Sequence, residues 1–257
     1  HPELLKTYQQ QHGYDWWSAY RKDFSRAIQN YETLRRKLDE RLDQERSQRG
    51  YGLNQALSPE EMQELLSTIP EHLQQEETKL RLAAEAYVGS CPVRVGDVVS
   101  FPTWQMHSLQ HGVRVIEFQT PHYERMIVMF GQKVLTQGHW NTEKAIAGMK
   151  PEIYQPPQPE LIWQQDGLRC ERVVDFPDFD AFRLCVPVGQ RIKLEGKGKY
   201  QLLMGVDGYG QLLVGGESCG TVRHEEGWMI PAVTDDCWLE SRGTGDLICL
   251  QAIPKSS

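Results

Sequence analysis

No run in this 257-residue chain comes near the roughly 18 consecutive apolar residues that a membrane-spanning helix needs, so a helical membrane protein is not expected. The charged-then-apolar layout of a secretory leader is missing from the first residues. None of the six cysteines (Cys91, Cys170, Cys185, Cys219, Cys237, Cys249) forms a C-x-x-C pair, which argues against a zinc knuckle or a thioredoxin-like dithiol. We read them as reduced thiols, chiefly small buried hydrophobes, in a cytoplasmic protein. An excess of positive charge is missing too. The formal net charge of -7 argues against a nucleic-acid-binding surface for the molecule as a whole, while leaving room for a local basic pocket that takes a phosphate. Composition is otherwise ordinary, which sets aside disorder, collagen and coiled-coil arrays. The chain opens on His1 rather than Met, so sequence upstream of it is expected.

What is present falls into two characters. From about 15 to 88 the pattern is helical. Trp16, Tyr20, Phe24, Ile28, Tyr31, Leu34, Leu38 and Leu42 recur at three- and four-residue spacing and share one face. The opposite face is charged, as in Arg35-Arg36-Lys37 and Asp39-Glu40-Arg41, and reads as a solvated face of a packed helical hairpin. Gly50 and Gly52 end this helix. Ser58-Pro59-Glu60-Glu61 reads as a capping box with proline at the first helical position, and Pro70 restarts a further helix that runs to Gly89.

From Val93 the pattern turns β-like. Val95, Val98 and Val99, then Val113, Val115, Ile116 and Phe118, then Met126 to Phe130, form short runs separated by turn residues. A helix is expected from about Asn141 to Gly148, and the four prolines between Pro151 and Pro159 mark an extended linker. From Leu161 on, glycine-punctuated strands follow one another, among them Phe182–Pro187, Tyr200–Val206, Gln211–Val214, Gly227–Ile230 and Leu247–Ala252. Such a series means a sandwich or barrel. The expected fold class is therefore α+β. It comprises a helical domain over 1–90, a β segment over 91–150, a linker over 151–160 and a C-terminal β domain over 161–257.

The stretch with most chemical content runs from Gly96 to His111. It reads Gly96, five residues, Pro102, Thr103, Trp104, two residues, His107, three residues, His111. Glycine and proline bend a strand sharply, and the strand that follows can aim an imidazole inward, where its neutral form binds zinc, iron or manganese. Gly96, Pro102 and His107 match the second cupin motif in register, with Trp104 in place of its second glycine and His111 in place of its asparagine. Further on, Gly112-Val-Arg-Val-Ile-Glu-Phe-Gln119-Thr-Pro, Tyr123-Glu-Arg125 and His139-Trp140-Asn-Thr-Glu143-Lys144-Ala145 resemble class I mannose-6-phosphate isomerases. Tyr200-Gln-Leu-Leu-Met-Gly-Val-Asp-Gly-Tyr-Gly and Gly227-Trp-Met-Ile-Pro231-Ala are similar to phrases of their C-terminal domain. The resemblance spans about Arg94 to the C-terminus and is tightest in its first part.

The resemblance implies cupin-type (jelly-roll) barrels and a zinc-dependent aldose–ketose isomerase acting on a hexose phosphate through an ene-diol. His107 would be a metal ligand and Arg125 the active-site arginine that holds the phosphate or the ene-diolate. Glu117 is a candidate carboxylate for the proton transfer, equally readable as a structural carboxylate near the barrel rim. His122, close to Arg125, is a candidate for substrate contact. The family's Gln-x-His-Pro and Lys-Pro-Glu elements have no counterpart in this chain. His1 or Glu3 is the candidate for a further ligand, His1-Pro2-Glu3 being readable as the tail of either element. One histidine does not make a catalytic zinc site, which takes about three protein ligands. Zn2+ or another divalent metal is thus expected by resemblance, and a metal-free cupin that binds a sugar or a partner is the alternative. Asp236 stands five residues after Pro231, where a metal histidine would sit, so the C-terminal domain reads as a packing partner. A homodimer is compatible with all of this.

Overall fold

The computed structural model describes residues 1–52, 55–110, 112–120, 126–128, 140–151 and 155–255. The chain divides into two compact units, one of His1–Val93, Pro102–Ser108 and Tyr123–Ile153, the other of Arg94–Phe101, Leu109–His122 and Tyr154–Ser257. The stretch between the helical region and the linker contributes to both. The architecture is α+β, helices first and antiparallel sheets after them.

The first unit is built on one long helix. Its elements are α1 (Pro2–His12), α2 (Trp16–Gln48), α3 (Pro59–Ser67), α4 (Glu71–Glu85) and α5 (Thr142–Gly148). The stripe read from the sequence is the buried face of α2, from Tyr20 through Phe24, Ile28, Tyr31, Leu34 and Leu38 to Leu42. A helix of this length extends about 50 Å, too long for a single cluster to cover. Its first half packs with Leu5 and Tyr8 of α1, Ala84 of α4 and Ile146 of α5, its second half with Leu65 and Ile69. Tyr87 lies in the first cluster, stacked on Phe24 at 5.1 Å and edge-on to Tyr20 at 5.3 Å. The Tyr20 hydroxyl donates to the Tyr87 carbonyl at 2.6 Å, and burial pushes the Tyr20 phenol up to about 12. The capping box of α3 is formed: Glu61 N–H donates to Ser58 Oγ at 3.2 Å, and Ser58 N–H donates to Glu61 Oε2 at 2.7 Å. Among the described residues no helix is long and apolar enough to cross a membrane.

The second unit holds ten strands: β1 (Glu160–Gln165), β2 (Leu168–Asp175), β3 (Phe179–Val186), β4 (Arg191–Lys193), β5 (Gln201–Asp207), β6 (Tyr209–Val214), β7 (Glu217–Arg223), β8 (Gly227–Ile230), β9 (Cys237–Ser241) and β10 (Leu247–Pro254). They form two antiparallel sheets, ordered β1-β2-β3-β10-β5-β8 and β4-β9-β6-β7. From β3 onward, successive strands alternate between the sheets except at the β6–β7 hairpin, and β3 pairs with β10, which is the connectivity of a jelly roll. Side chains alternate accordingly. Leu184 and Val186 of β3, Leu203 of β5, Leu212 of β6, Leu239 of β9 and Cys249 of β10 point inward and meet in one core. The backbone makes a close approach at Gly205. Its N–H donates to the Glu226 carbonyl at 3.0 Å, and a Cβ there would stand 2.0 Å from the Arg223 carbonyl oxygen.

Two expectations about local structure differ from what is seen. The valine-rich runs over 93–118 form no strand among the described residues. Val95 and Val115 are exposed, so burial against an apolar face does not hold these two side chains in a ladder. Helix is read in the sequence from about residue 15, whereas α1 already forms over Pro2–His12.

Candidate functional site

The Gly96–His107 stretch is organised by two tight turns. In the first, the Asp97 N–H donates to the Arg94 carbonyl at 3.1 Å and the Arg94 N–H returns a bond to Asp97 Oδ2 at 2.8 Å. Gly96 sits inside this turn at φ 93°, where a side chain would be strained. Arg183 of β3 anchors the turn by donating from Nη1 to the Gly96 carbonyl at 2.8 Å. Arg183 is itself fixed. Its Nε donates to Glu171 Oε2 at 2.8 Å, and Arg169 donates to the other oxygen of that carboxylate. Glu171 is 4% exposed, so two guanidinium groups and one buried carboxylate tie the jelly roll to the motif's first turn.

The second turn runs from Pro102 to Gln105, whose N–H donates to the Pro102 carbonyl at 3.1 Å. Trp104 takes up φ 70° at the position where the motif has its second glycine. This left-handed conformation costs a residue with a side chain about 1–2 kcal/mol. The indole offsets some of this by lying against Gly148 at the end of α5, so closely that a Cβ on Gly148 would be 2.3 Å from the ring.

Beyond this turn His107 is exposed, with Nδ1 3.0 Å from the Gln105 carbonyl. A carbonyl only accepts, so Nδ1 carries the proton and Nε2 is the acceptor nitrogen of the neutral ring. That tautomer, held by a backbone oxygen, is the arrangement a metal-binding imidazole requires. Glu117 is exposed and belongs to the other unit. His1 precedes α1, and Glu3 in its first turn pairs with Lys6 at 3.0 Å on an exposed surface. His122 and Arg125 lie outside the described residues, as do His111 and His139.

Zn2+ can be tested against this geometry. Among the described residues no group of three or more His, Cys, Asp or Glu side chains could hold a metal ion. His107 and His224 each have Nδ1 fixed by a backbone carbonyl, and the described residues do not assemble a metal site around His107.

The jelly-roll interior offers no second site among the described residues. Its centre is filled by apolar side chains, with one polar pair at the side, where Gln251 donates to Gln201 and Gln201 reaches the Leu194 carbonyl at 3.5 Å. Asp236 accepts from Trp238 Nε1 at 2.8 Å. Burial pushes the Cys170 and Cys237 thiols up to about 11 and Cys249 up to about 12, which keeps them protonated and unreactive. The buried Glu171 between its arginines was not singled out by the sequence reading. Strand alternation held no signal for it, because Glu171 follows the core residue Cys170 and so falls on the opposite face of β2.

Comparison with known proteins gives structural likenesses only. No protein-family model matches the chain, and no curated protein matches it. A Cupin 2 conserved barrel domain protein from Salinispora arenicola CNS-205 is similar at 14% identity over 34% of this chain and 76% of its own, with a TM-score of 0.31. KdgF from Halomonas sp. is similar at 15% identity over 38% of this chain and 89% of its own, with a TM-score of 0.33. The mannose 6-phosphate isomerase from Bacillus subtilis is similar at 12% identity over 44% of this chain and a TM-score of 0.37, and the match spans only 34% of that enzyme. The jelly roll itself rests on the strand order and not on these scores.

Proposed function

We propose that the chain is an aldose–ketose isomerase of hexose phosphates, of the mannose-6-phosphate isomerase kind, with its chemistry on the stretch from Gly96 to Arg125. The observation that carries this reading is the pair of positive-φ turns at Gly96 and Trp104, followed by an imidazole whose tautomer is fixed by the Gln105 carbonyl. In the proposed reaction a proton leaves C2 of the aldose and returns to C1, while the hydroxyl proton passes from O2 to O1. The ketose forms with no change in composition. Glu117 is assigned the transfer of the carbon-bound proton. Arg125 is assigned the phosphate or the charge of the ene-diolate, with His122 beside the substrate. Zn2+ or another divalent metal on His107 belongs to the proposal by resemblance. No step is routed through it, because the described residues do not complete its site. The cytoplasm is the proposed location.

The apolar filling of the jelly roll favours a second role for that domain alone, a non-catalytic support that carries the Gly96 turn through Arg183 and Glu171. Metal analysis of the purified chain and of His107→Ala tests the site. One bound zinc per chain, lost on the substitution, is the expected result. Equal metal in both proteins would overturn the assignment of His107.

A further inference from the structure

A groove of about 380 Å³ runs between α2 and α5. Ser18, Arg21, Lys22 and Ser25 recur at three- and four-residue spacing, so all four stand on one wall along α2. Glu143, Ile146 and Ala147 of α5 form the other wall. Every α2 residue in the wall ends in a hydrogen-bond donor, and two of the four are cations. Arg21 is fixed in place. Its Nη1 donates to the Ala147 carbonyl at 2.6 Å, and its guanidinium lies over the Trp17 ring at 5.8 Å. That bond satisfies a carbonyl in the last turn of α5, and the positive charge screens the negative end of the helix from the groove.

One donor of this guanidinium is left over. Arg21 Nε is buried and has no hydrogen-bond partner among the described residues. A buried charged donor without an acceptor is destabilising, and a bound water or ion is the usual remedy. Arg35 Nε is in the same position, but there Asp39 neutralises the guanidinium at 2.9 Å. Among the described residues neither Arg21 nor Lys22 has a carboxylate partner. The one carboxylate in the groove, Glu143, already accepts from Gln29 Nε2 at 2.9 Å. We infer that the α2–α5 groove binds a small oxyanion of the phosphate class. Arg21 offers its planar fork, Lys22 a point charge, and Ser18 and Ser25 hydroxyl donors, a set that suits a tetrahedral anion. Glu143 is the like charge at this site and keeps the affinity modest. The inference does not depend on the isomerase reading, whose residues lie elsewhere in the chain.

Calorimetric titration of the full chain with inorganic phosphate, and separately with glycerol 3-phosphate, at constant ionic strength tests this. Saturable binding is expected for both. Tighter binding of the ester would identify the ligand as a phosphorylated small molecule, and equal binding would identify free phosphate. Lys22 is exposed and has no hydrogen-bond or ion-pair partner among the described residues, so Lys22→Gln should fold as the wild type does and bind about tenfold more weakly. Arg21→Gln should lose more. Glu143→Gln should tighten binding about threefold, a gain that a merely structural groove would not show. His107→Ala should bind as the wild type does. No saturable binding of either anion, or binding that Lys22→Gln and Glu143→Gln leave unaltered, would overturn the inference.

Discussion

Replacing Gly205 by alanine tests whether the jelly roll is closed as tightly as its geometry indicates. Gly205 lies in β5, opposite Cys249 of β10, and exchanges backbone bonds with the β7–β8 connection. Its N–H donates to Glu226 at 3.0 Å and its carbonyl accepts from Glu225 at 2.9 Å. An added Cβ would stand 2.0 Å from the Arg223 oxygen and 2.7 Å from the Arg223 carbonyl carbon. Both are backbone atoms, so no side chain can swing aside, and relief needs a movement of about 1 Å in one of two hydrogen-bonded segments. Overpacking of this kind costs about 3 kcal/mol. At about 2–4 °C per kcal/mol for a domain of this size, thermal unfolding should move down by about 6–12 °C. Gly189→Ala is the control: φ is 74° there, but nothing lies within 4 Å of the new atom, and the expected loss is about 1 kcal/mol. Urea unfolding of both variants measures the difference. A Gly205→Ala protein no less stable than Gly189→Ala would refute the close approach.

Other consequences follow from single contacts. Ser58→Ala opens the capping box and should cost about 1 kcal/mol, with Ser58→Asp restoring much of it in thermal melts. Glu171→Ala leaves Arg169 and Arg183 without their shared carboxylate. Both arginines are partly solvated, so the expected loss is about 2 kcal/mol, below that for a fully buried pair, and Glu171→Gln should lose less. The thiols give a pH dependence. The folded chain holds protons on Cys170, Cys237 and Cys249 up to about 11, 11 and 12, whereas an unfolded thiol releases its proton near about 8.5. Their contribution to stability is therefore intact below about pH 8.5 and is lost as the pH climbs toward 12. Unfolding followed at rising pH checks the direction. At neutral pH a thiol reagent should modify the exposed Cys91 and Cys219 fast and the buried Cys170, Cys237 and Cys249 slowly.

Much of the scaffold was legible because its signals are local. The stripe from Tyr20 to Leu42 states a helix face, Ser58 to Glu61 states a cap, and the strand Gly227–Ile230 coincides with β8. Less legible were elements whose reason is non-local. β7, Glu-Ser-Cys-Gly-Thr-Val-Arg, is a polar edge strand that exists because β6 pairs with it. The valines between 93 and 118 have strand propensity but no strand beside them among the described residues. At the candidate site the sequence showed where the motif departs from its pattern at Trp104. It did not show that Trp104 takes a positive φ and leans on Gly148, because that contact joins residues far apart in the chain. His107 was legible as a residue, while the bond to the Gln105 carbonyl that fixes its tautomer is a matter of turn geometry. Arg125 and His122 fall outside the described residues, so their roles rest on resemblance alone.

The most direct test of the central claim is to incubate the purified chain, with zinc supplied, with mannose 6-phosphate and follow the sugar by proton NMR. The account predicts conversion to fructose 6-phosphate that is lost in His107→Ala and in Arg125→Ala. An unchanged spectrum of the aldose, with a chain shown to be folded and metal-loaded, would contradict it.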